Sequence, residues 1–264
     1  MSYDVSSIAF SPPSAFNVGT QIFIGIDDVF SDVINLPFNF CFYQEIYNTL
    51  IVGTNGLISF NTAMANDYCN YDFFATCPTP GPPPTGLYDT STMGAFHDMD
   101  PSMGGEIRYL VSGTAPCRMF IINYFNVPQY NCNFDLTTQQ IVLYETTNAI
   151  EVYIQSKPEC GFGANPNAVI GIQNSNGTNG ISPPGRNTGV WSASNEAWRF
   201  TPDGPPNFSV RWYDELNNFI DTGVTITVCP NDTSFYIAEA TYLHCDGTQV
   251  IVNDTITLNV SGIF

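Results

Sequence analysis

Basic residues are almost missing from this chain. Its 264 residues hold six lysines and arginines against 24 aspartates and glutamates, a formal net charge of −18, and Lys157 is the one lysine. Charge of that sign repels phosphate backbones and anionic lipid, which excludes nucleic-acid binding and electrostatic adsorption to membranes. No apolar run reaches the ~18 residues of a membrane-spanning helix, so no direct membrane insertion is expected. No CxxC, HExxH or GxSxG spacing occurs, which removes the usual signatures of a zinc ribbon, a metalloprotease or a hydrolase nucleophile. Helical periodicity is nearly absent as well. Met1-Ser2-Tyr3-Asp4 has neither the basic region nor the apolar stretch of a signal peptide, so an exported chain would have lost its leader.

What is present is aromatic and punctuated. Aromatics make up 14% of the chain and charged residues only 11%, a balance that builds a core rather than a disordered acidic coil. Apolar or alternating runs of four to eight residues recur between Gly, Pro and Asn clusters, which reads as all-β. Expected strands cover 21–26, 38–43, 49–52, 57–60, 106–111, 118–125, 139–145, 149–155 and 169–173. Thr146-Thr147-Asn148 and Asn55-Gly56 mark hairpin turns between four of them. Pro-rich 63–90 and Asn/Gly-rich 174–188 read as long loops, the places where a β scaffold carries binding function.

Thr201-Pro202-Asp203-Gly204-Pro205-Pro206 is the expected domain boundary, separating 1–203 from 205–264. The second part has its own strand series at 208–213, 224–228, 234–242 and 249–260, and Trp212 ahead of Cys229 suits an immunoglobulin-like sandwich. The eight cysteines are even in number and unclustered, which favours disulfides and an extracellular setting. Their placement suggests Cys229–Cys245, Cys69–Cys77, Cys132–Cys160 and, left over, Cys41–Cys117.

Two acidic clusters stand out. His97-Asp98-Met99-Asp100-Pro101 and Asp27-Asp28 offer hard oxygen ligands, so Asp98, Asp100, Asp27 and Asp28 are candidate calcium ligands. The alternative is polar turns whose aspartates cap backbone amides. Tyr68, Tyr71, Phe73, Phe74 and Tyr88 crowd the loop 63–90 and could stack on sugars; the alternative is that they fold inward against a sheet. Arg186 and Asn187 in the second loop are further candidate ligand contacts. An acid–base site at Asp98 and Asp100 would make a β-sandwich glycoside hydrolase, but no supporting nucleophile pattern accompanies it, so the chain is not expected to be an enzyme.

Leu36–Tyr43, Gly53–Phe60 and Ala95–Pro101 together resemble the nidogen-type extracellular β domain. Gly113–Arg118, Gln139–Asn148, Gly185–Gly189 and Asn195–Pro202 resemble the N-terminal regions of large Bacteroidetes surface proteins that leave the cell by type IX secretion. Thr225–Pro230 and Cys245–Thr248 are similar to the immunoglobulin-like repeats of such proteins, including SprB-type gliding adhesins. The resemblance implies a nidogen-like β-sandwich followed by an Ig-like module and further repeats of the same polypeptide. It implies cell-surface adhesion to an external surface, glycan or protein, in gliding motility. A structural cap that docks a protein partner is the alternative.

Overall fold

The computed structural model describes residues 2–23, 25–72, 89–160, 166–204, 207–245 and 247–260. The chain divides into two compact units, Met1–Asp203 and Gly204–Phe264. The first unit opens with β1 (Tyr3–Ser7), β2 (Thr20–Phe23), β3 (Ile34–Phe42), β4 (Glu45–Gly53), β5 (Leu57–Ser59) and β6 (Ser91–Phe96). It continues with β7 (Glu106–Ser112), β8 (Met119–Gln129), β9 (Cys132–Tyr144), β10 (Ile150–Lys157), β11 (Val169–Gln173), β12 (Gly180–Ile181) and β13 (Ala193–Pro202). Among the described residues, helical structure is limited to two 3-10 turns, at Thr62–Met64 and Pro101–Met103.

These strands form two antiparallel sheets. One runs β1-β13-β10-β9-β8-β7-β2 and the other β12-β11-β6-β5-β4-β3. Period two explains the layering. Phe120, Ile122 and Tyr124 of β8, Ile141 and Leu143 of β9, and Ile150, Val152 and Ile154 of β10 face the central core. Their neighbours Ile121, Val142 and Tyr153 face outward, where Phe16 buries them with Ile8 and Phe10 packed alongside. The outer face of the second sheet is covered in the same way: Phe30 and Cys69 pack on Ile51, Leu57, Met93 and Phe96. Both sheets therefore have two buried faces, and the segments that cover them are loops. That matters for the site, because the covering segment 62–72 delivers its tyrosines to the edge of the sandwich.

The second unit is a single antiparallel sheet of β14 (Phe208–Asp214), β15 (Phe219–Thr222), β16 (Ser234–Leu243) and β17 (Gln249–Leu258), ordered β15-β14-β16-β17. No second sheet layer is formed among its described residues. The expected strand at 224–228 is not one. Residues Val224, Thr225, Ile226 and Val228 instead line a cavity of about 230 Å³ with Trp212, Tyr236 and Ile256, and β15 takes the edge beside β14. The chain reverses at Gly223 (φ 123°), whose carbonyl accepts a hydrogen bond from Trp212 Nε1 at 2.8 Å. That bond holds the following residues against the face of the sheet, out of reach of its edge.

The cysteines follow the expected pattern in one place. Cys132 and Cys160 are bridged, joining the start of β9 to the segment after β10. Cys69 is a free, buried thiol rather than a partner for Cys77, which lies outside the described residues. Its sulfur fills the space over Gly53, where an added Cβ would stand 2.5 Å away. Cys117 is free and exposed in the β7–β8 connection, so the left-over pairing with Cys41 does not form. Cys229 is free and exposed in the irregular segment ahead of β16, so the pairing with Cys245 does not form either.

Candidate functional site

Four connections meet at one end of the first unit: β2–β3, β4–β5, β6–β7 and β8–β9. The β4–β5 turn is the organiser. Gly56 adopts φ 94°, and a Cβ there would strike Ala95 O at 2.5 Å, so the hairpin needs glycine at this position. The residue before it, Asn55, is fully buried. Its Nδ2 donates to Asp28 Oδ1 and to Cys69 O, both at 2.8 Å, and its Oδ1 accepts from Met99 N at 2.8 Å. One amide thus ties together the β2–β3 loop, the covering segment and the β6–β7 loop. Val29 N donates to Thr54 Oγ1 at 3.0 Å, and Cys69 N donates to Asp28 O at 2.8 Å. Tyr130 N donates to Asp98 O at 3.2 Å, and Asp100 N to Pro128 O at 2.9 Å, which adds the β8–β9 turn.

The consequence is that two acidic pairs about seventy residues apart in sequence share one neighbourhood. Burial, then the charges of Asp28 and Asp100, push the Asp27 carboxyl up to about 6. Burial, then Asp28, Asp27 and Asp100, push Asp98 up to about 7. Burial is also the main reason that Asp28 is raised, offset in part by its hydrogen bonds from Asn55 and Tyr68. Asp98 is 7% exposed, and its raised carboxyl reflects burial and the neighbouring carboxylates. Asp100 differs, since its Oδ1 accepts from Ser102 N at 3.0 Å and caps the 3-10 turn. So 97–101 is a buried polar turn in which Asp100 caps a backbone amide. Among the described residues, no three His, Cys, Asp or Glu side chains stand close enough to hold a metal ion as they are.

Aromatic groups ring the acids. Tyr68 is 57% exposed and hydrogen-bonds Asp28; its hydroxyl is raised to about 12, first by desolvation and then by the charge of Asp28. The Tyr71 hydroxyl is raised chiefly by the charge of Asp98. Tyr130 is exposed, and it too acts electrostatically on Tyr71. Tyr68 therefore does not fold inward. Phe73 and Tyr88 lie outside the described residues. Arg186 is committed to different partners: its guanidinium pairs with Glu196 and stacks on Trp191 at 4.8 Å. Asn187 is exposed beside it, with its side chain accepting from Thr188 N at 2.7 Å. The acid–tyrosine cluster and the Arg186 loop are thus built as separate arrangements.

His97 takes no part in the acid cluster. Its Nε2 lies 3.0 Å from Thr137 Oγ1, and burial followed by the charge of Lys157 drives its pKa well below the ordinary range. Two contributors were not legible as site residues. Asn55 reads in sequence only as half of an Asn-Gly turn, and Tyr130 as an ordinary hairpin residue; the density of Asn and Tyr around 55, 68, 71 and 130 was the available signal.

Residues 2–202 match the family model described as NIDO related, and the chain belongs to that family. No curated protein and no solved structure shows significant similarity to the chain. Family membership and the Cys132–Cys160 disulfide point to an extracellular or secreted protein carrying an adhesion-type domain.

Proposed function

We propose that this NIDO-related chain is the binding end of a cell-surface adhesin, and that the acid–tyrosine cluster of its first unit contacts an external glycan. The carrying observation is the exposed Tyr68 ring set beside carboxylates that no basic residue neutralises. A tyrosine face packs on the apolar face of a sugar ring, while carboxylates and phenol hydroxyls accept and donate to its hydroxyl groups. Binding rather than turnover is favoured because no nucleophile pattern accompanies the acids in the sequence. Export by type IX secretion, a role in gliding, and further Ig-like repeats behind the second unit belong to the same proposal, carried by the likeness of 113–118, 139–148 and 225–248 to such surface proteins.

The test is glycan-array binding of the chain and of a Tyr68→Ala/Tyr71→Ala variant. The expected result is selective binding that the variant loses by tenfold or more while its unfolding temperature holds. Unchanged binding in the variant would move the contact elsewhere. An array with no binder at all would favour a domain that docks another protein.

A further inference from the structure

An open sheet has two edges, and natural chains blunt them with short strands, proline or bulges, because an unpaired edge templates another strand. Most edges of this protein are blunted. β12 has two residues, and β2 has four with a register shift after Gln21. β3 carries Pro37 and loses its register between Asn35 and Phe40. β15 has four residues and a register shift of its own, and β1 has five residues. β17 is different. It runs for ten residues, pairs with β16 without a break in register, and holds no proline, lysine or arginine.

The free side of β17 can be read residue by residue. His244 N donates to Thr248 O at 2.9 Å, and Leu243 N donates to Asn207 O at 2.6 Å. Those bonds fix the phase of the ladder. Even-numbered residues of β17 turn their main-chain groups to β16, while Gln249, Ile251, Asn253, Thr255 and Thr257 turn theirs outward. Thr255 N is taken by its neighbour, donating to Asp254 Oδ1 at 2.8 Å. Among the described residues, nothing pairs with the other outward N–H groups. Val250, Val252, Ile256 and Leu258 share the face that carries Trp212, where Ile256 and Leu258 line the cavity.

We infer that β17 is a homodimerisation edge, to which the same strand of a second copy adds antiparallel about a two-fold axis. Strand addition needs a partner with an open edge of matching length, and among the described strands β17 itself is the one that offers it. Its side chains are self-complementary as well. With Asn253 opposite its mate, Val250 faces Ile256 and Ile251 faces Thr255 of the second copy, while Asp254 faces Val252 rather than the other Asp254. The two four-stranded sheets then run on as one, with their Trp212 faces on the same side. Asp254 is the opposing element, since its carboxylate occupies the Thr255 amide and adds charge to a chain already at −18. The inference concerns the second unit alone and stands whether or not the first binds a glycan.

The test is sedimentation velocity of the full chain across a range of concentrations, in NaCl that screens the charge. Cys117 and Cys229 are replaced by serine, so that exposed thiols form no bridge between copies. The expected result is a shift from monomer to dimer mass as concentration rises. Asn253→Pro removes an N–H that the sheet itself does not use, so it should abolish the dimer and move the unfolding temperature by about 2 °C or less. Asp254→Val frees the Thr255 amide and removes the charge, so it should tighten the dimer about tenfold or more. A monomer at every concentration, in Asp254→Val as in the parent, would overturn the inference and leave the edge to a strand of another protein. A dimer that a folded Asn253→Pro keeps would overturn it too, because the contact then lies on another surface. Should Asn253→Pro unfold, Asp254→Val decides: a dimer no tighter than the parent's sinks the β17 edge.

Discussion

Single residues set the terms of this protein, and the polar ones inside it are the most informative. Asn55 makes three buried hydrogen bonds at about 1 kcal/mol net each. Asn55→Ala should therefore cost about 3 kcal/mol by denaturant unfolding, with the midpoint moving and the slope unchanged. Lys157 is the second case. Burial pushes its ammonium down to about 8, while the unfolded chain holds that proton to about 10.4. Between those values the unfolded state binds more protons, so this lysine's contribution rises with pH. The stability of the parent minus that of Lys157→Met should climb from pH 8 to pH 10, by at most about 1.4 kcal/mol per unit. A flat difference would mean that the amine is neutral or solvated throughout.

At the scale of elements, the hairpins were the most legible. Residues 139–145 and 149–155 alternate cleanly about Thr146-Thr147-Asn148, and β9 and β10 pair there with Ile150 opposite Leu143. Thr146 and Asn148 take positive φ to close the turn, a conformation asparagine tolerates well. β6 was missed because Ser91-Thr92-Met93-Gly94-Ala95-Phe96 is buried on both faces and shows no alternation. β1 was missed because its five residues are mostly polar, and it pairs with β13 across nearly two hundred residues of sequence. The gathering of Asp27–Asp28 with Asp98–Asp100 is legible only once the sheets are paired, since no sequence spacing encodes it. The Cys132–Cys160 bridge was legible because it spans the open end of a readable hairpin. It closes a loop of 28 residues in sequence separation, so replacing both cysteines by serine should cost about 3.6 kcal/mol, read by denaturant unfolding.

For the molecule as a whole, charge dominates. With a net charge of −18, repulsion among acids outweighs what exposed ion pairs return, since each is worth about 1 kcal/mol or less. Raising NaCl from 20 to 500 mM without divalent ions should raise the unfolding temperature by a few degrees, because screening relieves the larger, unfavourable sum. A fall would mean that the Arg–Glu pairs matter more than the excess of acid. The scarcity of lysine has a further consequence. With Lys157 only 1% exposed, amine-reactive reagents meet no accessible side chain on the folded protein. The mass added by a succinimidyl ester should stop at the terminal amine while the chain is folded and gain one increment when it opens. A single side chain thereby turns ordinary labelling chemistry into a clock for opening events at β10.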